Sequence, residues 1–100
     1  MSRNPEATLI ASVNRLLSKA IFHQAMGSLF CNGTPDQYYE GPGGCVWVEY
    51  KKNIHGKVSA LQQRWHDRAV RHNVNAWIVF GGGNFSKYDL ARAIEKVCGV

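Results

Sequence analysis

The sequence predicts a mixed α/β domain in which a sheet of parallel and antiparallel strands is flanked by helices. Two short runs rich in Tyr, Val and Trp, at 37–40 and 45–52, are separated by Gly and Pro, which is typical of a β-hairpin. A helical pattern then precedes an apolar run at 76–80, and a strand reached through a helix lies parallel to its neighbour. With helical patterns at both ends, the predicted order is α-β-β-β-α-β-α.

The first predicted helix covers residues 4 to about 24. Asn4 is a suitable N-cap and Pro5 a suitable first helical residue. Apolar residues then recur at helical spacing from Leu9 to Ile21. Residues 27–32 are predicted to form the first strand, which leads into the hairpin.

The second predicted helix begins after Ser59 and ends near residue 72. Ser59 and Gln62 have the spacing of a capping box, in which the glutamine side chain reaches back to the N-cap backbone. The apolar stripe of this helix is expected to consist of Leu61, Trp65 and Ala69.

The last two elements are a strand and a helix. Residues 76–80 are apolar and of strand length, and Ser86 is a suitable cap for a helix over 87–98. This helix is expected to bury Leu90, Ala91, Ile94 and Val97.

Length and charge limit the possible functions. One hundred residues predict one domain, 1–100, whose core is marginal for its size, so that a partner subunit is expected. The 12 basic and 7 acidic side chains give a net charge of +5, which suits a polyanionic partner but also an ordinary soluble protein.

The cysteines and the apolar runs bear on the compartment. Cys31, Cys45 and Cys98 are far apart and show no C-x-x-C spacing, which favours reduced thiols. No apolar run approaches the roughly 18 residues of a membrane span. We therefore expect a cytoplasmic protein without membrane contact, in a bacterium or, if a phage encodes the chain, in the cytoplasm of its host.

The hairpin places like charges opposite each other. If its loop is symmetric, Glu40 faces Cys45 and, counting outward, Asp36 faces Glu49, with Lys51 on the same face as Glu49. Opposed like charges destabilise a sheet. A solvated polar face is one interpretation, and a site at which a cation offsets the carboxylates is the other, for which oxygen ligands favour Mg²⁺ or Mn²⁺.

The same residues carry a resemblance to a nuclease family. Asp36, then Glu49-Tyr50-Lys51, matches the pattern Asp, spacer, Glu-X-Lys of the PD-(D/E)XK superfamily, and Pro35 supplies the proline of its name. More narrowly, three blocks followed by a helix and an apolar strand resemble the VRR-NUC family over residues 33 to about 80. The blocks are Gly33-Thr34-Pro35-Asp36, Val48-Glu49-Tyr50-Lys51 and Gly56-Lys57-Val58-Ser59-Ala60-Leu61-Gln62.

The resemblance implies roles for individual residues. It implies a restriction-endonuclease-like core in which Asp36, Glu49 and the Tyr50 or Val48 backbone carbonyl hold the metal, while Lys51 orients the attacking water. It also implies that Glu6 joins the metal site, although an acid in the first turn of a helix is favoured by the helix dipole without any such role. Gln62 is assigned to the edge of the active site, in competition with its capping role.

Basic residues near these blocks are candidate DNA contacts. Arg64 and Arg68 recur at helical spacing, together with Arg71, and Lys52 and Lys57 lie in the preceding loop. Such a pattern is usually a solvated face, but beside a nuclease site it would follow the phosphate backbone.

The resemblance thus implies a metal-dependent DNA endonuclease that hydrolyses phosphodiester bonds. Because small stand-alone members of the family resemble Holliday junction resolvases, we expect it to be structure-specific. A repair or restriction-type nuclease with flap, end or duplex specificity is the first alternative, and a non-catalytic DNA-binding module is the second. Because resolving a four-way junction needs two nicks, we expect a homodimer on branched DNA. The apolar stripe of the first helix and Tyr38 and Tyr39, taken as exposed, are the candidate contacts.

Overall fold

A computed structural model describes residues 5–26, 33–83 and 85–100. Three helices and four strands follow one another in this part of the chain in the predicted order α-β-β-β-α-β-α. The elements are α1 (Pro5–Leu16), β1 (Phe22–Ala25), β2 (Gln37–Gly41), β3 (Gly44–Lys51), α2 (Ala60–Arg71), β4 (Ala76–Phe80) and α3 (Lys87–Cys98).

The four strands form one mixed sheet in the order β1-β2-β3-β4. The first three strands are antiparallel and β4 is parallel to β3, which confirms the crossover predicted through the second helix. In the hairpin, Gly41 pairs with Gly44 and Glu40 pairs with Cys45, as the symmetric register predicts. Both flanking strands of β3 are therefore aligned with it by main-chain hydrogen bonds.

The prediction for the first helix is wrong at its C-terminal end. The helix α1 ends at Leu16, and Ile21 donates its N–H to the Ser18 carbonyl at 3.1 Å in the turn that follows. Leu17 and Ile21 are buried without being helical, which is why the apolar spacing continues past the end of the helix. The predicted helix runs to about residue 24, but Phe22–Ala25 form the strand β1. The predicted strand at 27–32 lies outside the described residues.

The hydrophobic core lies on one face of the sheet. Every second residue of β3 points into it, and α1 and α3 cover this face. Tyr39 is 0% exposed, which corrects the expectation of an exposed tyrosine. Its hydroxyl donates to Asn14 Oδ1 at 2.7 Å and lies 2.8 Å from the Tyr50 hydroxyl. The β3 residues in the core are Val46, Val48 and Tyr50.

The helix α2 packs on the opposite face, chiefly against β4. Because β4 is the edge of the sheet, only part of the predicted stripe is covered: Ala69 is buried, Trp65 is half-buried and Leu61 is 44% exposed. His66 is buried in addition to the predicted residues.

The helix α3 has the predicted bounds and begins at the predicted cap, Ser86. Its buried residues include Leu90, Ala91 and Ile94, while Cys98 is buried in addition to them and Val97 is half-buried. None of the helices in the described ranges has both the length and the apolar character needed to span a membrane.

The buried tyrosine pair generates a prediction on stability. Tyr39→Phe removes the donor to Asn14 and the partner of the Tyr50 hydroxyl, so we expect it to lower the free energy of unfolding by about 1–3 kcal/mol. The matched control is Tyr88→Phe, because Tyr88 is 57% exposed, and a change within about 0.5 kcal/mol is expected there. Urea unfolding of both variants measures the difference, and equal losses would contradict the assignment.

Candidate active site

The face of the sheet opposite the core brings two carboxylates together. One step beyond the last pair of the β2–β3 register, Gln37 with Val48, Asp36 lies opposite Glu49. The Tyr50 N–H donates to Asp36 Oδ2 at 2.9 Å, which holds this carboxylate beside β3. Burial is the first cause that raises the pKa of Glu49, and the charge of Asp36 is the second. The two acids that the sequence singles out therefore lie side by side at the end of the hairpin.

Lys51 and Gln62 complete a closed group of side chains around Glu49. The Lys51 Nζ is 3.3 Å from Glu49 Oε2 and donates to Gln62 Oε1 at 2.8 Å. The Gln62 Nε2 donates to the same Glu49 oxygen at 3.1 Å. Each member of the group thus contacts the other two, so none of the three side chains can rotate without breaking two contacts.

Gln62 also takes part in the capping box of α2. Its Oε1 accepts the Ser59 N–H at 2.9 Å, and its own N–H donates to Ser59 Oγ at 3.1 Å. Helix capping and contact with the active site, which were expected to compete, are therefore combined in one side chain. The start of α2 and the position of the Lys51 ammonium depend on the same amide oxygen.

Glu49 is a buried acid whose charge is incompletely balanced. It is 4% exposed, and its Oε1 is buried with no hydrogen-bond partner in the described part of the chain. Burial first, and the charge of Asp36 second, raise the pKa of Glu49 to about 7, against the lowering effect of Lys51. A buried oxygen of this kind needs either a proton or a cation at neutral pH.

The donor atoms at the site suit a hard cation, although side chains alone do not complete its shell. In the described ranges there is no group of three or more His, Cys, Asp and Glu residues that could hold a metal. Tyr50 can add a carbonyl, because the N–H and C=O of one residue point to the same side of a strand and its N–H points towards Asp36. The register places Pro35, which has no N–H to donate, opposite this carbonyl. Two carboxylates and one carbonyl are oxygen ligands of the type that Mg²⁺ and Mn²⁺ prefer.

Glu6 lies in the first turn of α1, where the helix dipole favours an acid. The structure does not bring it together with Asp36 and Glu49 in a group of three carboxylates able to hold a metal. A part for Glu6 in the metal site therefore stays a prediction from the resemblance.

The predicted basic residues are exposed but do not form one continuous surface. Arg64, Arg68 and Arg71 line a shallow groove on the outer side of α2, with Asp67 among them. Lys52 instead lines a second groove, between α1 and the loop after β4. Lys57 is exposed in the loop before α2. The predicted basic residues thus form two separate basic edges.

A row of aromatic side chains, which the motifs in the sequence do not single out, lies on the same face as the carboxylates. Tyr38 is two residues from Asp36 and Trp47 is two residues from Glu49, so alternation along each strand places them on that face. Their rings lie 4.7 Å apart between centroids. The alternation that identified the carboxylate pair also contained this signal.

The fold and the site together define an α/β domain with a four-stranded mixed sheet and with a carboxylate pair, a lysine and a glutamine at the end of its β2–β3 hairpin. Among solved structures, the chain is similar to one described as a VRR_NUC domain, with a TM-score of 0.72 and 19% sequence identity. The similarity covers 94% of this chain and 97% of the other. No family model matches the sequence, and no curated protein matches it significantly. The resemblance to the VRR-NUC family that the sequence predicts is thus confirmed at the level of the fold.

The raised pKa of Glu49 predicts how stability depends on pH. In metal-free protein, the folded state retains a proton on Glu49 up to a pKa of about 7, whereas the unfolded chain loses it near 4.5. Folded protein therefore binds more protons in this interval, and stability should fall as pH rises from about 4.5 to 7, by up to roughly 3 kcal/mol. Urea unfolding in a chelator across this range measures the slope.

Glu49→Gln is the matched control for this experiment, because it keeps the shape of the side chain and removes its titration. The variant should be more stable than the wild type at pH 8 and should lose the part of the slope that Glu49 causes. An unchanged slope would show that Glu49 titrates at its ordinary pKa.

Proposed function

We propose that this chain is a metal-dependent endonuclease that hydrolyses phosphodiester bonds of DNA. The observation that carries the proposal is the buried Glu49 beside Asp36, with an unpartnered Oε1 and with Lys51 and Gln62 held against its other oxygen. A buried glutamate with a raised pKa, beside a second carboxylate and a lysine, is typical of a functional site. If the arrangement were merely structural, it would lower the stability of the fold without any benefit. The VRR_NUC fold supports the same class of reaction.

The residues of the site divide into metal ligands and groups that act on the phosphate. Asp36, Glu49 and the Tyr50 carbonyl would hold Mg²⁺ or Mn²⁺, which when bound polarises the phosphate and lowers the pKa of water. Lys51, held 2.8 Å from Gln62 Oε1 and 3.3 Å from Glu49, presents a fixed positive charge where negative charge develops in the transition state. Gln62 is a positioning residue that acts through Lys51 and Glu49.

Branched DNA is the proposed substrate and a homodimer is the proposed working unit. The net charge of +5 and the two basic edges suit a polyanion with more than one duplex arm. Paired nicks in a four-way junction need two sites, and the described residues of one chain contain a single carboxylate pair of this kind.

The edge strand β1 is the surface we propose for the contact between two copies. All four of its residues are exposed, and none of them is a proline or a lysine that would block pairing of two edges. Several of the contacts expected from the sequence do not suit this role, although Tyr38 remains partly exposed. Val13 of α1 and Leu17 and Ile21 after it are buried in the core of their own chain, and so is Tyr39.

Substitutions at the carboxylates and the lysine test the reaction. Asp36→Asn and Glu49→Gln should abolish Mg²⁺-dependent cleavage of junction DNA while the circular dichroism spectrum stays unchanged, because only charge is removed. Lys51→Ala should lower the turnover number by roughly a hundredfold with affinity retained. Lys52→Ala is the matched control, because Lys52 is exposed and its loss should lower the affinity for DNA more than the turnover number. Wild-type cleavage in either carboxylate variant would overturn the assignment, and cleavage confined to flaps or ends would favour the alternative nuclease.

The double role of Gln62 can be separated by comparing neighbouring substitutions. Gln62→Ala removes both the cap and the contacts to Lys51 and Glu49, so we expect a loss of about 1 kcal/mol of stability and a 10–100-fold slower turnover. Ser59→Ala should cost about the same stability and leave turnover unchanged. Gln63→Ala, whose side chain contacts Asp67 instead, should change neither. Equal turnover in the Gln62 and Ser59 variants would reduce Gln62 to a cap.

The dimer is tested by mass and by mixing. Sedimentation at micromolar concentration should give twice the chain mass, and a proline substitution at His23 in β1 should give a monomer, because proline cannot donate a main-chain hydrogen bond. An equal mixture of wild type and Glu49→Gln should nick junctions on one strand more often than on both. Paired, symmetric cuts by a strictly monomeric enzyme would exclude the proposed unit.

A further inference from the structure

Four aromatic rings form a row across the sheet on the face that carries the carboxylates. The rings of Phe22 and Tyr38 are 6.5 Å apart between centroids, those of Tyr38 and Trp47 are 4.7 Å apart, and those of Trp47 and Trp65 are 5.4 Å apart. The row thus crosses β1, β2 and β3 and ends on α2. It is called the aromatic row below.

The aromatic row is not part of the hydrophobic core. The core cluster and the half-buried residues packed against it lie on the other face of the sheet and include none of the four rings. Phe22 is 53% exposed, and the other three rings are half-buried. In the described part of the chain, α2 packs against β4 on this face, and no helix packs over β1 and β2 there. Large apolar rings that remain partly exposed on a sheet indicate a binding surface.

The position of the row relative to the carboxylates suggests what it binds. Tyr38 and Trp47 pair across β2 and β3, and each lies two residues from a carboxylate on the same face of its strand. Two residues along a strand span roughly 7 Å. A nucleotide adjacent to a phosphate at the carboxylate pair would therefore reach these two rings.

The charges around the row suit a nucleic acid. The groove lined by Arg64, Arg68 and Arg71 lies on α2, the helix that carries Trp65. Arg68 and Trp65 also line a common pocket, so a cation borders the row directly. Proteins that bind single-stranded DNA combine aromatic rings, on which the bases stack, with a basic groove that contacts the phosphates. One acid, Glu40, also borders the row: it accepts a hydrogen bond from the Tyr38 hydroxyl and pairs with Phe22, at the end of β2 away from Asp36.

We propose that the aromatic row is a stacking platform for unpaired nucleobases next to the scissile phosphate. The inference rests on the proposed function for its substrate and adds a specific part of that substrate to it. Unpaired bases occur in flaps, in single-stranded tails and where the crossover of a junction is opened, and not in a continuous duplex. The row thus gives a physical reason why a site of this kind selects single-stranded segments or branch points with opened base pairs.

Binding of a fluorescein-labelled thymidine oligonucleotide to the full chain in a chelator tests the proposal without cleavage. Trp47→Leu and Tyr38→Leu should each weaken binding by about tenfold, because leucine retains apolar bulk but cannot stack. Phe22→Leu, at the exposed end of the row, should weaken it by a smaller factor. Tyr88→Leu is the matched control, since Tyr88 is an exposed tyrosine on α3, and it should bind as the wild type does.

Intrinsic tryptophan fluorescence is a second measurement, and it reports stacking on the rings rather than attraction of the DNA by basic side chains. Stacking of bases should quench Trp47 and Trp65, while Trp77, which packs against the core, should remain emissive. Trp65 packs on Trp47, so the thermal stability of each variant should be measured as a control for folding. If Trp47→Leu does not fold, the affinities of Tyr38→Leu and Phe22→Leu decide whether the row binds bases.

The possible outcomes separate this inference from the proposed reaction. Affinities equal to the wild type in folded Tyr38→Leu and Phe22→Leu, without tryptophan quenching, would overturn the platform even if the enzyme cuts junctions. Conversion to a monomer by Tyr38→Leu with oligonucleotide affinity unchanged would assign the row to contacts between chains and would also overturn it. Ring-dependent binding of the oligonucleotide by a chain that cuts no DNA would uphold the platform and reject the nuclease.

Discussion

The register of the β2–β3 hairpin is the constraint on which the site depends. It sets Asp36 opposite Glu49, and a slip of one residue would move one of the two carboxylates to the core face. The turn end is held against α3, where the Gly43 N–H donates to the Cys98 carbonyl at 2.9 Å. A side chain at Gly41 would collide with the same carbonyl, so glycine is needed there for close approach. The C-terminal end of α3 thus helps to hold the carboxylates in place from the far end of the hairpin.

A single strand, β3, supplies both the core and the site. Its residues alternate, so Val46, Val48 and Tyr50 fill the core while Glu49 and Lys51 lie on the other face. Because neighbouring strands flank β3 on both sides, its backbone cannot shift without disturbing the core. β3 can therefore tolerate the repulsion between the two carboxylates, because it is paired on both sides. Glu49 can consequently stay buried with a raised pKa.

Sequence reasoning succeeded where a local pattern determines the structure. The hairpin register, the bounds of the last strand and helix and the cap at Ser59 each follow from a few adjacent residues. It failed at the end of the first helix, because Leu17 and Ile21 are buried by tertiary packing although the helix has ended. β1 carries no alternation that could reveal it, since all four of its residues are exposed at the edge of the sheet.

The site itself could be predicted only in part, for the same reason. The opposition of Asp36 and Glu49 is a consequence of counting along the hairpin, but the contacts of Gln62 depend on where α2 lies over the sheet. That position is set by packing against β4 and by the rings of Trp47 and Trp65, which no local pattern contains. The surroundings of Glu6 likewise depend on how α1 sits on the core. For the hairpin, the sequence therefore predicts both which residues belong to the site and how they face each other. For the helices, it predicts which residues are candidates but not what they contact.

Pro35 shows how a residue without chemistry of its own shapes the site. It is fully buried, and the register places it opposite Tyr50, where an ordinary residue would exchange two main-chain hydrogen bonds with β3. Proline has no N–H, so it cannot donate to the Tyr50 carbonyl, and the Tyr50 N–H donates to the Asp36 carboxylate. At the point where the site begins, a hydrogen bond to the Asp36 side chain therefore replaces the main-chain hydrogen bonds between β2 and β3. A residue with an N–H at this position would extend the ladder and compete for the carbonyl that lies beside the two acids.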